Sequence, residues 1–207
     1  MTPTYTPEAF SALFLFGVVT LITPGPNNAM LITSGANFGL RPTLPHLFGI
    51  IFGCAVLIFA CGLGLAGVFT AFPVLHEVLK WGGGAYLLYL AYRIGTAEGI
   101  HGKAAGTKPL TFWQAAAFQF VNPKGWAVAL GVVSTYVPAK GYLANLGVAQ
   151  ALMASIGLVT TLIWAAFGVG LRRFLDRPVV LRAFNITMAL LLVASLYPLF
   201  AELAPKR

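Results

Sequence analysis

The chain has 207 residues, 58% of them hydrophobic and only 9% charged, with a mean hydropathy of +0.84 and a net charge of +8. A soluble domain carries about 25% charged residues, so the composition excludes a water-exposed globule and is that of an all-α integral membrane protein. The positive balance is not a nucleic-acid footprint, because the 13 Lys and Arg are scattered among helix ends rather than gathered on one patch, and no nucleic acid is expected as a partner.

Met1 to Glu8 carries no Lys or Arg, unlike the basic leader of a cleavable signal peptide, so the first apolar run is expected to be retained. Nearly charge-free runs then follow at Phe10 to Thr33, Leu47 to Phe72, Trp81 to Tyr92, Phe112 to Val137, Leu146 to Leu171 and Val179 to Ala201. Most are long enough to cross a hydrocarbon layer of roughly 30 Å, and the short third one reaches that length if it extends back through Val74 to Leu79 with His76, Glu77 and Lys80 at the interface. Six crossing helices are expected. The connections are short, the longest being about Ile94 to Thr111, and no linker separates an appended domain, so a single membrane domain is expected to fill residues 1–207. Connections one, three and five hold Arg41; Arg93, Lys103 and Lys108; and Arg172, Arg173, Arg177 and Arg182, against Lys80, Lys140, Lys206 and Arg207 on the other side. By the positive-inside rule this puts both termini on the outer face of the membrane.

Within these runs, some polar residues read as structural. Cys54 and Cys61 lie seven apart on one helix, roughly 10.5 Å along its axis, too far to bridge, and are read as packing residues. His46 precedes the second run and reads as interfacial, with a proton relay as the alternative. Tyr86, Tyr89 and Tyr92 with Trp81 form a helical stripe suited to packing or interface anchoring, and Gly82-Gly83-Gly84 suits close helix approach.

Two clusters do not fit packing. Thr23-Pro24-Gly25-Pro26-Asn27-Asn28 interrupts the first run, and Asn122-Pro123-Lys124-Gly125 interrupts the fourth with the prolines 99 positions apart. Proline removes a backbone donor and clashes with the preceding turn, so helices one and four should be broken there, leaving free N–H and C=O groups. Three helices per half is an odd number, so two such units (1–100 and 101–207) must lie upside down relative to one another. This is the inverted-repeat plan of secondary transporters. Val78-Leu79-Lys80 before helix three and Val180-Leu181-Arg182 before helix six give a fainter echo of the same repeat.

The N–H groups beyond Pro26 stand at the positive end of a helix dipole and suit an anion. Asn27 and Asn28 add side-chain amides, and Thr23 and Asn122 are residue types that cap a broken turn. Lys124 lies about twelve residues into helix four, roughly 18 Å at 1.5 Å per residue, near the bilayer centre. A lysine at that depth costs about 2.5 kcal/mol or more. No Asp or Glu falls inside an expected span, so the partner expected for Lys124 is a substrate carboxylate shared with the exposed N–H groups of the two breaks. The substrate-binding set is therefore Thr23, Pro24, Gly25, Pro26, Asn27, Asn28, Asn122, Pro123 and Lys124, with Lys124 also the coupling candidate because a desolvated amine can give up its proton. The alternative is structural: prolines also kink membrane helices without marking a site, and Lys124 can snorkel if helix four starts later.

The cluster Thr23-Pro24-Gly25-Pro26-Asn27-Asn28, the stretches Leu44-Pro45-His46-Leu47-Phe48-Gly49-Ile50 and Gly84-Ala85-Tyr86-Leu87-Leu88-Tyr89-Leu90-Ala91, and Phe118-Gln119-Phe120-Val121-Asn122-Pro123-Lys124 together resemble the LysE/RhtB family of bacterial amino-acid exporters. Over nearly the whole chain the resemblance is nearest the cysteine and O-acetylserine exporter subgroup. It implies proton-driven efflux of small amino acids such as cysteine, O-acetylserine, threonine or homoserine across the bacterial inner membrane. Some members have an acidic or polar residue near the position of Cys54, and its absence here argues against a cationic substrate. The expected partners are a small amino acid, protons and the bilayer, with self-association left open. No cofactor is expected.

The alternative class is an intramembrane enzyme, for instance a Ser/Lys hydrolase on Lys124. Ser134 lies about 15 Å away along the same helix, though Ser155 or Ser195 could approach from another, and no GxSxG, HExxH or acidic pair occurs. Export of another solute or ion on the same scaffold is the remaining alternative; an ion or metal path would want carboxylates at depth, and none is present.

Overall fold

The computed structural model describes residues 4–64, 67, 71, 73–96, 108–175 and 177–197, with side chains left out at 73, 75, 76, 79 and 80. The expectations for His76, Lys80, Lys103, Lys206 and Arg207 fall outside what is described. Helix α1 spans Pro7–Ile22; Thr6 caps it by accepting the Ala9 N–H at 3.2 Å, and Pro7 stands where a missing donor does no harm. The chain runs through Thr23, Pro24 and Gly25 without helix and restarts at Pro26 as α2, Pro26–Phe38, bent by 55° from α1. Gly39, at φ 87°, turns α2 into α3, Leu40–Gly62. Helix α4 spans Pro73–Gly95. Helix α5, Phe112–Phe118, opens on a capping box between Thr111 and Gln114 and runs through a 3₁₀ turn, Gln119–Val121, to Asn122. Helix α6, Pro123–Gly131, follows and ends in a π turn, Val132–Tyr136. Helix α7, Tyr142–Leu171, and α8, Pro178–Ala194, complete the set, and no strand occurs among the described residues.

The second span starts at Leu40, not at the first residue of its apolar run, Leu47. Arg41, Pro42 and Thr43 read as a connection, yet a proline in the first turn removes no intrahelical bond, and Pro45 is accommodated inside the helix. One consequence reverses an expectation. His46 sits a turn and a half into α3 and is 1% exposed rather than interfacial.

Helices Leu40–Gly62 and Tyr142–Phe174 are each long and apolar enough to cross a bilayer, and α1 with α2 qualify together as one bent span. The outward faces are apolar: Leu15 and Val19 on α1, Phe167 on α7 and Leu190 on α8 are all more than half exposed. Helix α2 is the reverse, with every residue from Asn28 to Asn37 buried. It is the central element, and it lies directly along α7. A Cβ on Gly35 would come within 2.2 Å of the Ala165 carbonyl, and one on Gly168 within 2.2 Å of the Ile32 carbonyl, so the two backbones touch where neither has a side chain. Helix α3 meets α5 the same way at Gly49 and Gly53, α4 packs on α8, and Gly83 approaches Val121. Asn145, fully buried at the start of α7, accepts the Thr4 N–H at 2.8 Å and donates to the Lys140 carbonyl at 2.8 Å, holding the N-terminal strand of chain against the loop before α7.

Because the α2–α7 contact is backbone on backbone, Gly168→Leu should force the helices apart and destabilise the protein by about 1–3 kcal/mol, the usual range for overpacking. Gly170→Leu, where nothing lies within 4 Å, should leave the thermal midpoint in detergent within error of the parent. Equal midpoints for the two variants would show that this contact is not limiting.

Candidate functional site

The two proline clusters come together. Lys124 follows Pro123 in the first turn of α6, and its Nζ donates across to the backbone carbonyl of Thr23 at 2.5 Å. That carbonyl belongs to the C-cap of α1, one of the acceptors the broken helix leaves without an intrahelical donor. It also accepts from Asn28 Nδ2 at 2.9 Å, while the same amide reaches the Leu21 carbonyl at 3.2 Å. A cation at a helix C-terminus is favoured by the dipole, so the partner of Lys124 in this structure is the end of α1. This amends the expectation that only a substrate supplies it.

The route of the lysine explains Gly25. A Cβ at that residue would lie 3.0 Å from Lys124 Cδ and 3.2 Å from Nζ, so any larger residue would press on the side chain that crosses it. Gly25 is fully extended at φ −173° and is the N-cap of α2, so it has no side chain with which to accept a first-turn N–H. The amides of Asn27 and Asn28 therefore have no cap. The second break differs: Asn122 Oδ1 accepts the Lys124 N–H at 3.2 Å, so its helix start is satisfied from within the chain.

Gln119, fully buried in the 3₁₀ turn, braces one break to the other. Its Nε2 donates to Asn27 Oδ1 at 3.1 Å and to the Ala115 carbonyl at 2.9 Å, and its Oε1 accepts from Asn27 Nδ2 at 2.8 Å. Asn122 Nδ2 at 3.4 Å and Cys54 Sγ at 3.5 Å lie at the edge of the same oxygen. Cys54 is half-buried and packs against Leu31, Leu47 and Ile50 while reaching the site, and Cys61 is a core residue beside Leu57, Val132 and Leu146, so both pack as expected.

Between these elements lies a cavity of about 70 Å³, room for several waters or a small solute. Gly25, Asn27, Asn28, Asn122 and Lys124 line it from the breaks, Cys54 and Ile58 from α3, and Gln150, Met153, Thr160 and Thr161 from α7. Gln150 Oε1 is buried without a hydrogen-bond partner. Of the residues expected at the site, Gly25, Asn27, Asn28, Asn122 and Lys124 line the cavity. Thr23 takes part through its backbone, Pro24 and Pro123 are exposed, and Pro26 is buried as the first residue of α2. Sequence reading missed Gln119, Gln150 and the α7 threonines. The signal available was a polar side chain in an otherwise apolar run, which for Gln150, Thr160 and Thr161 is weak because hydroxyls commonly bond their own helix, as both threonines do here.

The LysE type translocator family matches residues 18–195, which include both breaks and every residue that lines this cavity. The chain belongs to that family. The cysteine/O-acetylserine efflux protein of Escherichia coli (strain UTI89 / UPEC) is 32% identical over 193 residues, covering 91% of this chain and 95% of its own. Those of Escherichia coli (strain K12) and Shigella sonnei (strain Ss046) are 31% identical over the same length and coverage. No solved structure matches the chain. A translocator moves its solute unchanged, so no catalytic group is required at this site.

Removing the cap at the second break by Asn122→Ala should cost about 1 kcal/mol. Gln119→Leu should cost more, about 1–3 kcal/mol, because it strands the Asn27 amide inside the protein. Unfolding of the purified translocator by titrated denaturing detergent would rank them, and the reverse order would refute the bracing role of Gln119.

Proposed function

We propose that this translocator exports small neutral amino acids of the cysteine and O-acetylserine type, with threonine and homoserine as chemically similar candidates, across the bacterial inner membrane. The reading is carried by one observation: a cationic side chain and an uncapped helix N-terminus converge on a single cavity in the middle of the chain's apolar helices. A carboxylate placed there accepts from Lys124 Nζ and from the Asn27 and Asn28 N–H groups, replacing the Thr23 carbonyl as the partner of the lysine. Gln150 Oε1 offers an acceptor for the ammonium of the same solute. The relatives named for cysteine and O-acetylserine efflux support this substrate class over a cationic one, as does the apolar lining of the cavity by Ile50, Ile58, Val128 and Met153.

The architecture proposed is six crossing segments in two inverted halves, with α1–α2 and α5–α6 as the broken members. What supports it is the pairing of helices: α1 and α2 pack on α7, and α5 and α6 pack on α3, so exchanging the halves exchanges these contacts, while α4–α8 and α3–α7 map onto themselves. Both termini are placed on the outer side by the excess of Lys and Arg in the alternate connections. Alternating access then moves one half against the other around the Lys124 site. Export draws on the proton gradient through Lys124, which passes its proton on when the carboxylate leaves. A Ser/Lys hydrolase finds no support here, since Ser134 Oγ is engaged with the Leu130 carbonyl at 2.7 Å.

Lys124→Met should abolish O-acetylserine efflux from loaded vesicles while the protein still reaches the membrane. Lys124→Arg keeps the charge but holds its proton, and should retain substrate binding while losing the response to an imposed proton gradient. Efflux by Lys124→Met near the parent rate would remove the lysine from the site, and gradient-dependent efflux by Lys124→Arg would remove it from coupling.

A further inference from the structure

A second cavity, of about 80 Å³, lies at the other end of α2. Met30, Thr33, Ser34 and Asn37 line it from α2, spaced three and four apart on one helix face that continues from Asn27 in the first cavity. Its wall contains two buried polar side chains with unanswered atoms. His46, 1% exposed, has no partner for either ring nitrogen, and Asn37, 4% exposed, has none for Oδ1 although its Nδ2 donates to the Thr33 carbonyl at 2.8 Å. Buried side-chain polar atoms in folded proteins are nearly always satisfied, so these are positions that a polar occupant completes. Arg93 from α4 and Lys108 from the segment before α5 face the same space.

The charges are arranged with polarity. Asn37 is one residue from the C-terminal end of α2, where the helix dipole favours a cation and where its free Oδ1 accepts. Arg93 and Lys108, on the other elements of the wall, favour an anion. Met30, Leu90, Ile94 and Leu110 supply an apolar wall between. We infer that this cavity is a second binding site for the transported zwitterion, its carboxylate held by Arg93 and Lys108, its ammonium by Asn37 Oδ1, with His46 reading the polar side-chain end. The inference rests on the efflux reading and adds to it a waiting site: on the proposed topology this cavity is at the cytoplasmic end of α2, and the solute moves along the Asn37–Ser34–Met30–Asn27 face to reach Lys124. Ser34 is part of that face and is held in place by its 2.9 Å hydrogen bond to Thr43.

The test uses the purified full-length protein in lipid nanodiscs with isotope-labelled histidine, the His46 ring resonances being assigned by their loss in His46→Gln, and O-acetyl-L-serine as the probe. The expected result is a saturable shift of the His46 ring signals that persists in Lys124→Met, where the first site is disabled. In the double variant Arg93→Gln/Lys108→Gln the half-saturating concentration should rise about tenfold or more, as loss of charged hydrogen bonds requires. Sodium acetate and ammonium chloride, each carrying one of the two charges, should give no saturable shift. The inference is overturned if wild-type protein exports O-acetylserine from vesicles yet shows no His46 response. It is also overturned if the response vanishes in Lys124→Met, is unchanged in the double variant, or is matched by acetate alone. Absence of both response and export would sink the efflux reading for this substrate together with the second site.

Discussion

The hydrogen bond from the Lys124 ammonium to the Thr23 carbonyl is the interaction on which the centre of this protein depends. Among apolar helices neither group is well served alone: the carbonyl has lost its helical donor to the break after Ile22, and the lysine has no carboxylate within the expected spans. Each break thus supplies what the other lacks. The bond requires the lysine to cross over Gly25, and it is reinforced by Asn28, which donates to the same oxygen. Thr23, Gly25 and Asn28 are in this way tied to Lys124, 101 residues beyond Thr23, by one acceptor.

The two breaks are not equivalent, and the difference follows from which residue precedes each proline. Asn122 precedes Pro123 and caps its own helix; Gly25 precedes Pro26 and caps nothing. Consequently the first break keeps open N–H groups and the second carries the charge, and the two helix starts face one cavity. Gln119 keeps the faces aligned, since its amide pairs reciprocally with that of Asn27 and fixes the start of α2 to the end of α5.

Much of this was legible in the chain. The apolar runs placed the helices, and proline chemistry placed the two interruptions, because both are local properties. What failed was local reading where the tertiary environment decides. The start of α3 lay hidden because Arg41, Pro42 and Pro45 resemble a connection, and a helix can absorb prolines in its first turns. That shift also moved His46 from an interface to the interior. The resting partner of Lys124 was not legible for a different reason: a search for acidic residues finds a carboxylate if there is one, but every residue has a carbonyl, and which one lies within 2.5 Å of the ammonium appears only in three dimensions. Gln119 and Gln150 were passed over because a lone glutamine in an apolar run has no spacing to interpret, and their partners, or lack of them, are set by other helices.

The Thr23 carbonyl also bears on how a solute would leave. A hydrogen bond to a charged partner contributes about 1.5–3 kcal/mol, and one between neutral groups about 0.5–1.5. On the proposed binding mode, and while the lysine keeps its proton, exchanging the carbonyl for a carboxylate gains only the difference between two charge-assisted bonds, on the order of 1 kcal/mol, rather than the full value of an ion pair formed from an isolated lysine. A resident competitor of this kind keeps occupancy of the site reversible. On the same proposed binding mode, binding frees the end of α1 from α6. The 55° bend between α1 and α2 is then held by Asn28 alone among the side chains that donate to Thr23, while α2 itself remains fixed to α7 through Gly35 and Gly168. Under the proposed binding mode, movement is therefore directed to the joint at Thr23–Gly25, and the helix that carries one face of both cavities stays in place.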